Sequence, residues 1–370
     1  MEKYSAEQIR NQVLCHFAVE GELLEAPSYG SGHINDTYAP RLRLSDGREI
    51  RYILQRINTG IFQDPKGLME NIAGVTSYLK GILAANGGDP LRETLTLIPT
   101  KDDQPFYQAP DGSCWRMYLF VEDTISYDLV EKPEDFYISA KAFGRFQMLL
   151  AGYPAATLHE TILNFHNTVS RFENLKKAIA ADPLGRAKEV QPEIEFALAR
   201  ETDTHVLVDL QAKGEIPLRV THNDTKLNNV LIDPSNGRVC VIDLDTVMPG
   251  LAHYDFGDSI RFGASTALED EQDLSKVSMD LNLFDIYTKG FLEEAGAVLS
   301  PLEKELLPMG AKLMTYECGI RFLTDYLEGD TYFRTHRPGQ NLDRTRTQFK
   351  LVADMEAKWD AMAAIIKKYA

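Results

Sequence analysis

A change of pattern near Glu131 constrains this chain more than any other feature of its sequence. Before it, short alternating runs and tight turns dominate; after it, long helical periodicities do. "NDTYAPRLRL" alternates, "SDG" is a turn, and "IRYILQRI" alternates again, which predicts a meander of antiparallel strands. "PKGLMENIAGVTSYLKGILAANG" then reads as a helix opened by Pro65 and closed by Gly87. "TLTLIPT" and "SCWRMYLFVED" read as two more strands. Strands, one helix, then strands is not the β-α-β-α alternation of a dinucleotide-binding domain. The expected class is therefore α+β, with a small antiparallel-sheet lobe at residues 1–122 and a larger, mainly helical lobe at 123–370. Two lobes also suit 370 residues, which are too many for one small core.

Within these lobes the remaining periodicities predict helices. Ile9, Val13, Leu14 and Phe17 place a helix in the first ~25 residues. "EDFYISAKAFGRFQMLLAG" and "PEIEFALARETDTHVLVDLQAKG" read as long helices. Leu306, Met309, Leu313, Tyr316, Ile320, Leu323 and Leu327 step by three and four throughout, as an amphipathic helix packed on a core does.

Composition narrows the partners. With 39 basic and 55 acidic residues the formal charge is -16, which disfavours nucleic acid and anionic membranes but leaves room for an anionic small ligand in a local pocket. Cys15, Cys114, Cys240 and Cys318 are scattered and form no C-x-x-C pair, so neither a zinc site nor a disulfide framework is expected. The N-terminus "MEKYSAEQIRNQ" has no apolar signal core, and no run approaches the ~18 apolar residues of a span. A reducing cytoplasm is the expected home; nothing in the sequence reports oligomeric state.

The chemistry concentrates in residues 219–250. "NVLID" and "VCVID" are short, β-branched strands around the turn "PSNG", a hairpin. Asn229 lies seven residues before Asn236 and Asp243 seven after. A turn symmetric about Asn236 sets the two side chains opposite each other, roughly 5 Å apart at Cα. An amide oxygen and a carboxylate are hard ligands suited to Mg²⁺, with water and phosphate completing its shell. Upstream, Asp224 is placed to accept a proton from a hydroxyl nucleophile, and Lys226 to stabilise a transferring phosphoryl group. Asx-rich loops also serve as simple turns and caps. The joint order of Asp, Lys, Asn, hairpin and Asp is that of protein-kinase-type phosphoryl transfer. "HNDTKLNN" matches H-R-D-x-x-x-x-N at His222, Asp224 and Asn229, with Asn223 in the arginine's place.

Two stretches of the small lobe fit the same chemistry. "YGSGHIN" precedes the strand meander, where a loop over nucleotide phosphates belongs; Gly30, Ser31 and Gly32 allow close backbone approach, and Asn35 replaces a third glycine. His33 either meets phosphate or substrate or is an ordinary surface or core histidine. "WRMYLFVED" offers backbone groups near Phe120 to Glu122 to an adenine ring, if it is more than a core strand. One departure stands out. Kinases place a lysine on the strand after the loop, where "YILQRI" has Gln55; Arg56 beside it points to the opposite face. Phosphate contact falls to Gln55, to Arg56 or to neither.

"THNDTKLNN", "VIDLDTVMPG" and above all "YDFGDSIRFGASTALEDEQDL" resemble the N-acetylhexosamine 1-kinases, within the aminoglycoside phosphotransferase and choline kinase-like group. The resemblance runs from "GSGHINDTY" to "DRTRTQFKLV". It implies a two-lobed protein-kinase-like fold using ATP and Mg²⁺, and a reaction that phosphorylates the C1 hydroxyl of GlcNAc or GalNAc. Carried over by position, Asp224 is the catalytic base, Asn229 and Asp243 hold magnesium, and His33, Arg321 and Tyr332 contact the sugar. Two bland readings stand beside these. Glu317, Arg321 and Asp325 are spaced as an ion-pair ladder on one helix, and Tyr332 sits where it either packs or reaches a pocket. The "DFG" at Asp255 to Gly257 is not the metal motif on this reading, and Asp258 holds the catalytic loop. The competing acceptors are choline, homoserine, methylthioribose or an aminoglycoside.

Overall fold

The computed structural model of the protein describes residues 4–30 and 34–370. Its contacts divide the chain into two units. One comprises 1–125, 156–162 and 231–248; the other comprises 126–155, 163–230 and 249–370. The chain thus returns twice to the first unit after its first departure, and the second return is the hairpin.

The first unit is built on a six-stranded antiparallel sheet: β1 (Glu22–Glu25), β2 (Asp36–Tyr38), β3 (Arg41–Arg43), β4 (Glu49–Ile57), β5 (Tyr107–Gln108) and β6 (Cys114–Leu119). The order is β1-β3-β4-β6-β5, with β2 also on β4. Alternation along β4 sends Tyr52 and Leu54 into a core with Trp115, Met117, Phe17 and Val13. It sends Gln55 to the other face, directly opposite Arg116 of β6. The helix Pro65–Ala85 begins as expected, capped by Asp64, whose carboxylate accepts the Gly67 N–H at 2.9 Å, with proline at its first position.

Two expectations are corrected here. The opening helix ends at His16, and Glu22–Glu25 is a strand. Between them Gly21 turns with φ +109°, where a Cβ would lie 2.6 Å from the Arg43 carbonyl oxygen, so only glycine fits. "TLTLIPT" is not a regular strand. It donates from Ile98 N to Met117 O and accepts at Thr96 O from Leu119 N, and then Pro99, lacking an N–H, ends the ladder.

The second unit is helical. Helices Pro133–Leu149, Ala252–Gly263 and Leu281–Ala295 share a core of Phe136, Phe256, Ile260, Phe284, Tyr287 and Phe291. Leu307–Glu328, the helix expected from its periodicity, packs Tyr316, Ile320 and Leu323 against Phe172, Leu175 and Phe349. The stretch expected as one helix from Pro192 onward is two, Gln191–Leu198 and His205–Ala212. Thr202, Asp203 and Thr204 break it: these are weak helix formers, and Thr204 Oγ turns back to the Glu201 carbonyl at 2.6 Å. Among the described residues no helix is long and apolar enough to cross a membrane.

The helices Ala252–Gly263 and Leu307–Glu328 meet backbone to backbone. A Cβ on Gly257 would lie 2.6 Å from Met314 Cγ and 2.7 Å from the Gly310 carbonyl carbon, with that residue's oxygen closer still. Gly257→Ala is therefore expected to destabilise the protein by about 1–3 kcal/mol or more, read as a lowered urea midpoint at unchanged slope.

Candidate functional site

β7 (Arg219–Thr221) leads into the loop that carries Asp224. That loop is held mainly through its backbone by the helix Ala252–Gly263. The Asp255 carboxylate accepts the N–H groups of His222 (3.0 Å) and Asn223 (2.8 Å) and the side-chain amide of Gln147 (2.5 Å). Asp258 accepts the Thr225 N–H at 2.9 Å, and the Thr225 hydroxyl donates to the Asp255 carbonyl at 2.7 Å. Ser259 Oγ donates to the Thr225 carbonyl at 2.9 Å and is itself held by the Tyr287 hydroxyl. Burial pushes the Asp255 carboxyl above the ordinary carboxylate range, against the pull of its N–H donors. Burial acts the same way on Asp258, but Arg261 and Lys226 outweigh it and hold that carboxyl low. These bonds tie the "DFGDS" block to the loop. His222 is also structural, fully buried against Phe143 and Phe146.

Within this frame the loop brings Asp224, Lys226 and Asn229 together. Lys226 Nζ lies 2.8 Å from Asp224 Oδ1, and Asn229 Nδ2 donates to the Asp224 carbonyl at 2.8 Å and to Oδ2 at 3.3 Å. Burial works to lower the Lys226 pKa; Asp224 and Asp258 outweigh it, so the ammonium stays charged. Asp224 keeps a quarter of its side chain exposed, unlike Asp255 behind it.

The hairpin forms, but its register differs from the expected one. β8 (Val230–Ile232) pairs with β9 (Val239–Val241), and Asp233 N donates to Arg238 O at 2.8 Å. The turn is thus centred between Ser235 and Asn236, one residue off the pairing that sets Asn229 opposite Asp243. The cause is local. The Asp233 carboxylate binds Ser235 N, Ser235 Oγ and Asn236 Nδ2, an Asx turn tight enough to pull its pKa down to about 2. Asp243 lies past the end of β9 with φ +60°, a left-handed backbone that asparagine and aspartate adopt more readily than other non-glycine residues.

The residue missed in the sequence is Arg116. It is 1% exposed, donates from Nε to Gln55 Oε1 at 2.9 Å, and forms an ion pair with Asp245. Burial disfavours its charge, but Asp245, with a further contribution from Asp243, raises its pKa above the ordinary arginine value. Asp245 also accepts from Asn35 Nδ2 at 2.7 Å, and Asn35 Oδ1 accepts the Asn58 N–H at 2.9 Å. The end of the glycine-containing loop, the strand at Gln55 and the "IDLD" segment are thereby joined through one buried cation. Arg56 faces the other way, onto Asp36 and the Tyr4 ring. A lone charge inside the apolar strand "CWRMYL" was the available signal.

Of the other nucleotide-site candidates, Gly30 has φ +77°. Ser31, Gly32 and His33 lie outside the described residues. Phe120 carries the Arg51 guanidinium 3.9 Å over its ring, and the Glu122 carboxylate is bound by the same arginine. Glu122 thus has backbone, not side chain, to offer a base.

Arg321 and Tyr332, the sugar-contact candidates, do share a cleft of about 220 Å³. Arg171, Lys177, Thr324 and Phe333 also line it. Arg321 lies over the rings of Phe165, Phe333 and Tyr332 at 5.4, 5.4 and 6.0 Å. Its nearest carboxylate is Glu317, at 3.5 Å. Asp325 also lines the cleft, but its carboxylate is committed to the N–H groups of Thr331, Tyr332 and Phe333 and to Asn341.

The donor chemistry fits a magnesium ion. Asn229 commits its Nδ2 to Asp224, so its amide oxygen is the atom it has to offer a cation; an amide oxygen is a hard donor of the kind Mg²⁺ takes beside phosphate and water.

Solved structures share this fold. An amicoumacin kinase in complex with AMP-PNP and Ca²⁺ aligns with TM-score 0.60 at 13% identity, over 96% of this chain and 94% of that one. A microcompartment-associated aminopropanol kinase aligns at 0.58 and 15%, over 96% and 98%. Choline kinase from Cryptosporidium parvum aligns at 0.53 and 14%, over 93% and 92%. The architecture is thus the α+β, protein-kinase-like one. The match of residues 26–285 to the Phosphotransferase enzyme family (APH) spans β2 to β6 of the sheet, the Asp224 loop and the helix that holds it, and the chain is a member of that family of small-molecule phosphotransferases.

Proposed function

We propose that this phosphotransferase moves the γ-phosphoryl group of ATP to the C1 hydroxyl of an N-acetylhexosamine, GlcNAc or GalNAc. The acceptor cleft carries the reading. Arg171, Lys177 and Arg321 line it with two acids, Glu328 and Asp325, of which Asp325 is already committed, and the Tyr332 and Phe333 rings offer stacking faces. N–H donors beside aromatic faces suit the hydroxyl and acetamido oxygens of a neutral sugar. Three cations against Glu328 disfavour a cationic acceptor such as choline, aminopropanol or an aminoglycoside.

In this mechanism the sugar O1 attacks the γ-phosphorus, the bond to the β-γ bridging oxygen breaks, and ADP leaves. Asp224 receives the O1 proton, and Lys226 offsets charge on the transferring group. Asn229 and Asp243 are the residues that would hold Mg²⁺, which would neutralise phosphate charge. Gly30, Ser31, Gly32, Gln55 and the backbone at Phe120 and Glu122 serve the nucleotide; His33 joins Arg321 and Tyr332 on the sugar.

ADP release measured across GlcNAc, GalNAc, choline, aminopropanol and an aminoglycoside tests this, with phosphorus NMR to locate the phosphate. The expected product is a sugar 1-phosphate; phosphorylation of a cationic acceptor with none on either hexosamine refutes the reading. Arg321→Ala is expected to raise the sugar KM roughly 10–100-fold, the loss of a charged hydrogen bond, with the ATP KM unchanged.

A further inference from the structure

His166 lies between two hydrogen-bond acceptors. Its Nδ1 is 3.1 and 3.2 Å from the two carboxylate oxygens of Glu317, and its Nε2 is 3.2 Å from the Asn223 carbonyl oxygen. A carboxylate and a carbonyl only accept, so the ring is the donor in this bridge. The pair is buried, with side chains 6% and 1% exposed. Burial works to raise the Glu317 pKa, but His166, Arg321 and Arg171 outweigh it and keep the carboxyl ionised.

Each end of this pair reaches a different part of the second unit. Glu317 also faces Arg321, one helical turn on, which lines the acceptor cleft. The Asn223 carbonyl belongs to the peptide that enters Asp224. Asn223 has φ +65°, a left-handed backbone that its neighbours hold at both ends of the residue. Asp255 holds its N–H and His166 holds its carbonyl.

We infer that His166 and Glu317 are positioning residues for phosphoryl transfer, coupling Arg321 in the acceptor cleft to the peptide that aims Asp224. The inference rests on the reading of Asp224 as the base. Glu317 divides its charge between Arg321 and His166. An acceptor that draws Arg321 toward itself leaves the carboxylate more fully to His166 and holds the ring in place against the Asn223 carbonyl. Occupancy of the cleft thereby stiffens the loop that must take the proton.

His166→Ala, His166→Gln and Glu317→Gln test this through two measurements: amide hydrogen exchange of the segment 220–228, which needs no acceptor, and steady-state turnover with ATP and GlcNAc. His166→Ala and Glu317→Gln are expected to speed exchange in that segment about tenfold or more and to lower kcat to match, with the ATP KM within about twofold. Glutamine at 166 still donates to the Asn223 carbonyl and is expected to recover part of both; it and Glu317→Gln carry the test if the alanine variant does not fold. Unchanged exchange in 220–228, or acceleration spread over the whole second unit, overturns the inference. Asp224→Asn measured alongside separates the two claims: an active Asp224→Asn removes the base reading, while the exchange data still judge the pair.

Discussion

Asp224→Asn is expected to lower kcat by roughly 10²–10⁴ while leaving fold and nucleotide affinity intact. The loss follows from chemistry: an amide cannot take the proton of the attacking hydroxyl, though it fills the same space. The preserved fold follows from the bonding around it. The loop is anchored by Asp255 and Asp258 through the N–H groups of residues 222, 223 and 225, while the Asp224 side chain, partly exposed, pairs with Lys226 and Asn229. Coupled ADP-release kinetics and calorimetric nucleotide titration check both halves. Turnover within tenfold of the parent removes Asp224 from the chemistry.

The second large effect concerns stability. Arg116→Met removes one partner of a buried ion pair and leaves Asp245, 4% exposed, without its cation, though Asn35 still donates to it. Breaking such a pair costs about 3–5 kcal/mol, because the orphaned charge stays desolvated. Replacing both partners, in Arg116→Met with Asp245→Leu, is expected to recover much of that loss, since no unpaired charge is left behind. Urea unfolding of the two single variants and the double variant measures the coupling. Additive losses would show that the pair does not act as a unit.

The contrast between Asp224 and Arg116 marks how much the sequence discloses. Asp224, Lys226 and Asn229 fall within six residues, so their spacing on the chain is close to their spacing in space. The helix bearing Arg321 was equally legible, because its apolar period repeats over six turns. Arg116 was not, because its meaning depends on Asp245, 129 positions away, and on a hairpin that folds back into the first unit. His166 was hidden for the same reason, with partners at 223 and 317. The turn register failed on a smaller scale. Counting from Asn236 treats the turn as a bare backbone reversal, whereas the Asp233 carboxylate binds two of its residues and shifts the closing pair.

The glycine crossing of the helices Ala252–Gly263 and Leu307–Glu328 has a bearing on how acceptor choice can diverge. One helix carries the carboxylates that fix the Asp224 loop; the other carries Glu317 and Arg321 on the way to the cleft. Backbone contact at Gly257 and Gly310 locks their spacing, so the Asp224 loop and the root of the cleft are cast as one piece. Thr324, Glu328, Tyr332 and Phe333 lie beyond that junction, toward the open end of the second helix and the segment after it. New acceptors can be accommodated by exchanging these outer residues while the reaction geometry is inherited unchanged, and a library confined to them is the place to retune the enzyme.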